Sequence, residues 1–484
     1  MTYNIKDIVN KKSDIIKNSV SIDYNRFEYK GLGFDYEALM QDSGLDLIKI
    51  KQIQNEALVG NTPLIELKNL TLYARKFSAK GFGARIFLKD EAQNLSGSFK
   101  ARRAAISIYQ AKQLGYKGVI AATSGNYGAA VAALAARNGL KCIIVQEAFD
   151  SNNKAQPEII EKARACEAYG AEVVQLSVGP ELFYTFLKLL DETGYFNASL
   201  YSPYGVMGIE TLGYEIGNEI KEKYNKFPEV VVCTNAGGGN LTGTARGLKK
   251  VGAGATKIIA ASVDLKGLHM ASDMDFNKKS FTTGHTGFGI PFTTYPDRSD
   301  VPRSAARPLR YIDKYYTVNQ GSVFFITEAL AVLEGLERGP AGNTSLAVAF
   351  KLAQTMKEDE IIVVQESEYT GAGKHHQPQL SFAKKNGIEL IFGDVNTEQP
   401  GKNIVFPKSA AGIDIKELDL DKLRISYLKN QIKREKINNK SINPLEFSDE
   451  DKDYLMQELN LTSEALDTII ERYIKEVSHE RKTG

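Results

Sequence analysis

Short apolar runs alternate with longer stretches of helical periodicity through the middle of the chain. The runs ARIFLKDE, GVIAATS, KCIIVQE, AEVVQL, EVVVCTN, KIIAASVD and EIIVVQESE predict β-strands, and the segments between several of them predict helices. Strands that are apolar on both faces are typical of parallel sheets covered by helices. Because there are too many such strands for one small sheet, we predict an α/β protein of two domains. Its sheets are expected to be open, twisted and mostly parallel.

Changes in this pattern along the chain predict the domain boundaries. The first residues are mixed polar and aromatic without a strong period, and the segment IKELDLDKLRISYLKNQIKREK near the C-terminus is charged and predicts a helix. Ser448 stands three residues before Asp451, which is the spacing of a helix capping box. The predicted units are an N-terminal extension (1–55), a larger α/β domain (56–105 and 221–400), a smaller α/β domain (106–220) and a helical C-terminal extension (401–484).

Composition and charge narrow the class of protein only a little. Hydrophobic residues make up 43% and charged residues 25% of the 484 residues, which is ordinary for a globular protein. The 61 Lys and Arg residues nearly balance the 59 Asp and Glu residues, so the charge gives no reason to expect binding to nucleic acid or a membrane. The separated cysteines suggest no disulfide framework or metal site. With an N-terminus too charged for a signal peptide, we expect a cytoplasmic protein.

The first chemical signal is the stretch QNLSGSFKARRAA. It places Lys100 directly after a small, polar turn that begins at Ser96, where a predicted helix begins. This lysine is either an ordinary solvated residue or a nucleophilic amine held at the rim of a pocket. The stretch alone leaves both interpretations open.

A second signal is the glycine run in VCTNAGGGNLTG. Gly237, Gly238 and Gly239 follow a predicted strand, and Asn240 opens a predicted helix. Glycines let a backbone approach an anion closely, and the free N–H groups of a helix start point toward it, so the run predicts phosphate binding. A tight turn that needs positive φ is the alternative. The dinucleotide pattern fits less well, because Thr242 stands where its third glycine belongs.

Two further loops follow strand ends. In ATSGNYGAA, Thr123, Ser124, Gly125 and Asn126 offer hydroxyl and backbone donors to a carboxylate, although an ordinary helix N-cap is equally consistent. In VVQESEYTGAGK, a hydroxyl could bond a ring nitrogen, or could simply form a turn. The hydroxyl residues concerned are Ser367 and Thr370.

These signals together suggest one site for pyridoxal phosphate and an amino acid. The segments NLSGSFKARRA, TSGNYGAAVA, NAGGGNLTG and EYTGAGK, in this order, resemble the active-site segments of fold-type II pyridoxal-phosphate enzymes of the threonine synthase group. The resemblance covers roughly residues 56 to 380 and implies a two-domain, tryptophan synthase beta-like fold. It implies that Lys100 forms the Schiff base and is the catalytic acid and base, and that Asn126 bonds the phenolic oxygen of the cofactor. It further implies a phosphate loop at Gly237, Gly238, Gly239 and Asn240, a pyridine-nitrogen partner at Thr370 or alternatively Ser367, and a substrate carboxylate at Thr123, Ser124 and Gly125.

A finer resemblance rests on the N-terminal extension and on GHTGFGIPFTTYPDRSDVPRSAARP and VVQESEYTGAGKHHQPQ. These stretches are similar to the family of large (beta) subunits of 2-amino-4-oxopentanoate thiolases. That family implies ornithine degradation, a small alpha subunit, and cleavage of 2-amino-4-oxopentanoate by coenzyme A to acetyl-CoA and alanine. Arg298, Arg303, Arg307 and Arg310 are candidates for the coenzyme A phosphates or for a solvated surface. His285 is a candidate for substrate contact.

Other functions remain open at this level. Within the same family, replacement or elimination on an O-phosphorylated amino acid, as in threonine synthase or cysteate synthase, is the main alternative. A cofactor-bearing regulatory protein without turnover is a second alternative, and a nicotinamide-dependent dehydrogenase is a third. We expect an oligomer with no resident metal ion.

Overall fold

The fold is known from a computed structural model that describes residues 5–123, 125–149, 153–177, 181–266, 281, 290–298, 300–368, 376–437, 443 and 445–483. The strands are β1 (Leu64–Glu66), β2 (Arg85–Asp90), β3 (Gly118–Ala122), β4 (Lys141–Phe149), β5 (Glu172–Ser177), β6 (Phe196–Asn197), β7 (Val230–Thr234), β8 (Lys257–Val263), β9 (Lys314–Val318), β10 (Ile361–Glu366), β11 (Glu389–Gly393), β12 (Asn403–Pro407) and β13 (Ile415–Glu417). The helices are α1 (Ile5–Asn10), α2 (Lys12–Val20), α3 (Tyr36–Asp42), α4 (Leu47–Glu56), α5 (Lys68–Arg75), α6 (Lys100–Gln113), α7 (Asn126–Arg137), α8 (Pro157–Ala168), α9 (Glu181–Thr193), α10 (Pro203–Met207), α11 (Glu210–Tyr224), α12 (Gly239–Lys250), α13 (Ile290–Thr294), α14 (Gln320–Glu334), α15 (Pro340–Ala353), α16 (His376–Lys385), α17 (Leu420–Ile437), α18 (Asp449–Leu459) and α19 (Ser463–Thr483). Within the described ranges, no helix is both long and apolar enough to cross a membrane.

The larger sheet has the strand order β1-β2-β10-β7-β8-β9-β13. The strands from β2 to β9 run parallel, and the two edge strands, β1 and β13, run antiparallel to their neighbours. Alternate residues of one strand enter different cores: Val230 and Val232 join the core that includes α5 and α15, whereas Val231 and Cys233 face the core that includes α11 and α12. Burial on both faces explains why these strands are continuously apolar in the sequence.

The smaller sheet has the order β5-β4-β3-β6 and is parallel throughout. It contains only strands from residues 118–197, and α6 and α7 contribute buried alanines to its core. Every apolar run that predicts a strand above forms one, so the predicted fold class is confirmed. The helix predicted before β5 begins at Pro157, a residue that suits a first helical position because it has no N–H to satisfy.

The N-terminal extension is ordered around apolar side chains that the sequence pattern does not reveal. Ile15, Ile16 and Val20 are buried on α2, which packs against α9 of the smaller sheet. Phe34 and Tyr36 lie with their ring centroids 4.6 Å apart and continue this core. The spacing is irregular because several short helices share the segment, and no single period can describe it.

The C-terminal extension differs from the helical prediction at its beginning. Residues 403–407 form β12, and residues 415–417 form the edge strand β13 of the larger sheet, so the charged segment becomes helical only at Leu420. Glu417 lies opposite Tyr316, and its carboxylate accepts hydrogen bonds from Tyr316 Oη at 2.7 Å and Lys314 Nζ at 3.1 Å. These cross-strand contacts with a distant segment decide the local structure, and the segment's own pattern cannot show them.

The same extension holds the arginine-rich segment between α13 and β9. Arg307 donates to Glu458 of α18 at 2.7 Å and to Asp297 at 2.9 Å, and Arg310 lies 3.1 Å from the second Glu458 oxygen. Arg303 is also buried, 3.6 Å from Glu435 of α17. These arginines therefore neutralise carboxylates of the C-terminal helices. The capping box predicted from Ser448 and Asp451 is present at the start of α18.

A second buried ionic group fixes α6 against the larger sheet. Arg102 donates from Nε to Glu91 at 2.7 Å and from Nη1 to Glu215 at 2.8 Å, and all three side chains are buried. Burial opposes ionisation of Glu215, but the Arg102 guanidinium outweighs burial and lowers the pKa of Glu215 to about 2. Glu91 follows β2 and Glu215 belongs to α11, so one side chain joins three elements.

We predict that Glu215→Gln destabilises the protein at neutral pH by about 3 kcal/mol, because the folded pKa of Glu215 lies below its unfolded value. A carboxylate with a lowered folded pKa stabilises the fold fully above its unfolded pKa of about 4.5, and this stabilisation is lost as the pH falls toward 2. The difference in the free energy of unfolding between the native protein and Glu215→Gln should therefore narrow below about pH 4.5. Urea unfolding across the pH range is the measurement. Glu172→Gln, at an exposed position, is the matched control and should change little. A difference that is independent of pH would contradict the prediction.

Candidate functional site

A strained turn delivers Lys100 to the end of strand β10. Ser96 and Gly97 have φ values of 63° and 72°, and the chain then enters α6 at Lys100. Between the turn and the helix, Ser98 forms an antiparallel bridge with Glu368, and the Phe99 N–H donates to the carbonyl of residue 367 at 3.1 Å. The left-handed conformation is costly for Ser96 but not for Gly97, and the backbone bridge between Ser98 and Glu368 helps to hold it. The lysine is thereby held beside the carboxyl end of the larger sheet's buried strand.

The surroundings of Lys100 favour its neutral amine. The side chain is partly buried, with Nζ 4.5 Å from the ring centroid of Phe99. Burial and, next, the positive charge of Arg103 lower the pKa of Lys100 to about 7, while the Glu368 carboxylate opposes this shift. An amine with this pKa is substantially unprotonated at neutral pH, which nucleophilic attack and proton transfer both require.

Asn126 lies next to this turn as the first residue of α7. Its Nδ2 donates to the Glu368 carboxylate, and its Oδ1 is buried without a hydrogen-bond partner among the described residues. The preceding loop is tightened by a 3.2 Å hydrogen bond from the Gly125 N–H to Thr123 Oγ1. Ser124 lies outside the described residues. The loop therefore presents an unsatisfied acceptor close to the lysine turn.

A group of buried charges surrounds Glu368. Lys162 of α8 lies 3.9 Å from Glu368 and contacts Glu158, which is also buried. Burial opposes the charge of Lys162, but Glu158 and Glu368 outweigh burial and raise its pKa. Burial, together with the Glu368 carboxylate, raises the pKa of Glu366 well above its usual range. The Glu366 carboxyl therefore favours its protonated form, and Glu368 is the carboxyl group that Asn126 and Lys162 contact.

Side chains already occupy the space beside each glycine of this run, which we call the glycine cradle. A Cβ atom at Gly237 would lie 2.5 Å from Tyr201 Oη, one at Gly238 would lie 2.7 Å from Pro308 Cγ, and one at Gly239 would lie 3.0 Å from Arg103 Cζ. Gly238 also has a φ of 83°, which favours glycine. Gly238 is thus required by backbone conformation and by Pro308, whereas a side chain at Gly237 or Gly239 would displace the end of the Tyr201 or Arg103 side chain.

Groups at the start of α12 give this glycine cradle the properties of a phosphate site. Helix α12 begins at Gly239 without a side-chain cap, so its first N–H groups carry the positive end of the helix dipole. Thr242 Oγ1 is buried, and the described part of the chain gives it no hydrogen-bond partner. A hydroxyl, free N–H groups and a buried cation are suitable partners for a phosphate monoester. The residues present therefore fit the phosphate of pyridoxal phosphate, and Lys100 fits its aldehyde.

The structure brings most of the predicted site residues into two connected groups. The lysine turn and Asn126 contact Glu368, Thr123 and Gly125 lie in the loop just before Asn126, and Ser367 is buried next to Glu368 in the chain. The glycine loop is joined to them through α6, which carries both Lys100 and Arg103. The remaining predicted site residues, Thr370, Ser124 and His285, lie outside the described residues.

Sequence reasoning missed three residues of this region. Glu368 directly follows a buried strand, and such a position is a signal that could have identified it. Arg103 stands three residues after Lys100, which places both on one face of a helix. Lys162 has no comparable signal, because its helix reaches the site only through tertiary packing. Among the described residues, no cluster of His, Cys, Asp and Glu is arranged to hold a metal ion.

Comparison with known proteins identifies the family of the chain. Residues 56–367 match the family described as pyridoxal-phosphate dependent enzyme. The chain is 61% identical to a 2-amino-4-ketopentanoate thiolase beta subunit of Acetoanaerobium sticklandii over 470 residues, which cover 97% of this chain and 98% of that protein. It is 30% identical to a threonine synthase of Halalkalibacterium halodurans over 195 residues, covering 40% of this chain and 49% of that protein.

A solved structure supports the fold. A crystal structure of an O-ureido-L-serine synthase variant with O-ureido-L-serine bound superposes with a TM-score of 0.51 at 20% sequence identity. The superposition covers 69% of this chain and 93% of that one. The family match spans the lysine turn, the Asn126 loop and the glycine cradle, and the fold and the donor atoms around the cradle are consistent with it. The chain belongs to the fold-type II family of pyridoxal-phosphate dependent enzymes.

Proposed function

We propose that this protein catalyses the thiolytic cleavage of 2-amino-4-oxopentanoate by coenzyme A. The observation that carries the proposal is the end-to-end identity of 61% with a 2-amino-4-ketopentanoate thiolase beta subunit, which includes both terminal extensions. The threonine synthase of Halalkalibacterium halodurans aligns with less than half of this chain, so replacement or elimination on an O-phosphorylated amino acid is not favoured.

The proposed reaction is balanced without an oxidant or a reductant. The bond between C3 and C4 of 2-amino-4-oxopentanoate breaks, and the sulfur of coenzyme A bonds to C4 to give acetyl-CoA. The thiol hydrogen is accounted for by the proton that C3 gains, which gives alanine. The reaction is therefore a transfer of an acetyl group to a thiol, and the enzyme is an acyltransferase.

Cofactor binding is assigned to the residues that the family motifs match. Lys100 would carry the cofactor covalently, Asn126 would bond its phenolic oxygen, and Gly237–Asn240 would hold its phosphate. Thr370, or alternatively Ser367, would bond its ring nitrogen. When bound, pyridoxal phosphate supplies an electron sink for the negative charge that develops on the amino-acid carbon skeleton.

Substrate binding and proton transfer are assigned to the same cleft. Thr123, Ser124 and Gly125 would bind the substrate carboxylate, and His285 would contact the substrate. Lys100 Nζ would remove the proton from C2, because its pKa of about 7 lets it both accept and return a proton at neutral pH. Glu368 would keep Asn126 oriented through the contact that the two side chains make.

The beta-subunit name of the close relative suggests a partner chain, so we propose that a small alpha subunit completes the enzyme. Of the arginines considered for the coenzyme A phosphates, Arg303, Arg307 and Arg310 are occupied by carboxylates. The Arg298 guanidinium lies 3.3 Å from the ring centroid of Phe292, and its Nε is buried without a hydrogen-bond partner in the described ranges. We propose a cytoplasmic location, consistent with three buried, free cysteines.

We predict that the purified chain, alone or with the small protein encoded beside its gene, forms acetyl-CoA and alanine from 2-amino-4-oxopentanoate and coenzyme A. Lys100→Ala should lower the rate at least ~10²–10⁴-fold, because the acid–base group is lost. Lys112→Ala, at an exposed position on the same helix, is the matched control and should retain the activity. Mass spectrometry of both products is the measurement. Phosphate release from an O-phosphorylated amino acid, with no acetyl-CoA in either preparation, would contradict thiolysis and support the alternative.

We also predict that Glu368→Gln lowers the pKa of the Lys100 amine, because the carboxylate raises that pKa in the native protein. The reactivity of Lys100 toward an amine-directed reagent should have its midpoint near pH 7 in the native apoenzyme and at a lower pH in the variant. Peptide mass spectrometry of the labelled lysine across pH is the measurement. The exposed Glu172→Gln should leave the midpoint unchanged. A higher labelling midpoint of Lys100 in Glu368→Gln would contradict the prediction that the Glu368 carboxylate raises the pKa of Lys100.

A further inference from the structure

Arg103 is a buried cation that the family motifs do not explain. It lies three residues after Lys100 on α6, so the two side chains leave the helix on the same face. Only 2% of its surface is exposed, and burial lowers its pKa. A charged group at such a position normally requires a compensating charge.

The described part of the chain supplies no carboxylate to Arg103. Its Nε donates to the Gly205 carbonyl at 3.0 Å and its Nη2 donates to the Leu200 carbonyl. The neighbouring Arg102, by contrast, contacts the carboxylates of both Glu91 and Glu215. Two carbonyl oxygens orient the Arg103 guanidinium but do not neutralise its positive charge.

The position of this charge relative to the glycine loop suggests what compensates it. The guanidinium occupies the space that a side chain at Gly239 would need, so it lies against the first residue of α12. The N-terminus of that helix is itself positive, and placing a second positive group there is unfavourable unless an anion binds. The buried Thr242 Oγ1 in the first turn, which has no partner among the described residues, offers a hydroxyl donor to the same anion.

We propose that Arg103 is a phosphate-binding residue of this enzyme and that its ligand is the phosphate monoester of the cofactor. It adds a charge-assisted contact to a loop that otherwise offers backbone N–H groups and neutral side chains. A bound phosphate dianion would also offset the positive field that Arg103 exerts on Lys100. The inference depends on the family's cofactor and is independent of the thiolysis proposal.

The test compares two aldehydes that differ only in the phosphate. Apoenzyme is prepared in phosphate-free buffer, and the dissociation constants of pyridoxal phosphate and pyridoxal are measured by absorbance. Arg103→Met should weaken pyridoxal phosphate binding by ~10–100-fold and leave pyridoxal binding nearly unchanged, since only the phosphate contact is lost. Arg103→Lys keeps a positive charge and should therefore retain part of the affinity for pyridoxal phosphate that Arg103→Met loses. Arg137→Met, at an exposed position on α7, should behave as the native protein.

The ratio of the two constants separates a phosphate contact from a structural role. If Arg103 only holds the backbone of residues 200–205, both aldehydes should lose affinity by the same factor, and the proposal is overturned. If Arg103→Met does not fold, the same ratio can be measured in Arg103→Gln, which keeps N–H donors without the charge. An unchanged ratio accompanied by a higher KM for coenzyme A would assign the residue to a phosphate of the thiol donor, which also overturns the proposal. None of the binding measurements requires turnover, so a failure of the thiolysis assay would not affect them.

Discussion

The burial of three cationic side chains in the first turn of α6 is the constraint on which this site depends. Lys100, Arg102 and Arg103 lie within four consecutive positions, and an interior of low polarity penalises each charge. Each is accommodated differently. Arg102 is neutralised by two carboxylates, and Lys100 has a pKa near 7 and so favours its neutral amine at modestly alkaline pH. Within the described ranges, Arg103 has only carbonyl partners, and it faces the glycine loop. One helical turn therefore provides an anchor at Arg102 and, as we propose, a nucleophile at Lys100 and a positive group for an anion at Arg103.

Two acidic residues, Glu366 and Glu368, lie close to this helical turn, and Glu368 influences the pKa of Lys100. Glu368 is the carboxylate close enough to influence Lys100, and it also contacts Lys162 and Asn126. The Glu368 carboxylate raises the pKa of Lys100, but burial and the charge of Arg103 outweigh it. Burial, and next the Glu368 carboxylate, raise the pKa of the adjacent Glu366, so that Glu366 favours its neutral form. The Lys100 amine can therefore exchange protons near neutral pH.

The sequence predicts those elements whose structure is determined by residues close together in the chain. Continuous apolar runs identify the buried strands, and the spacing of Ser448 and Asp451 identifies a helix start. The glycine run identifies a cradle, since close backbone approach and positive φ are local requirements. Tertiary contacts decide the rest. The strand at Ile415 forms because β9 offers an edge, and Lys162 reaches the site because α8 packs beside α7. The surroundings of Arg103 cannot be deduced from sequence either, because which charges lie near it is a property of the folded neighbourhood.

The terminal extensions are connected to the cradle by a continuous path of contacts. Glu458 of α18 and Asp297 hold Arg307 on both sides, and the next residue, Pro308, packs against Gly238. The N-terminal extension closes the same region, because the Arg307 guanidinium lies 4.5 Å from the ring centroid of Tyr36. A loop with three glycines has little conformational restriction of its own, so its shape must come from the walls around it. The extensions, which the 61% identical thiolase beta subunit shares along its length, therefore support the wall that shapes the glycine cradle.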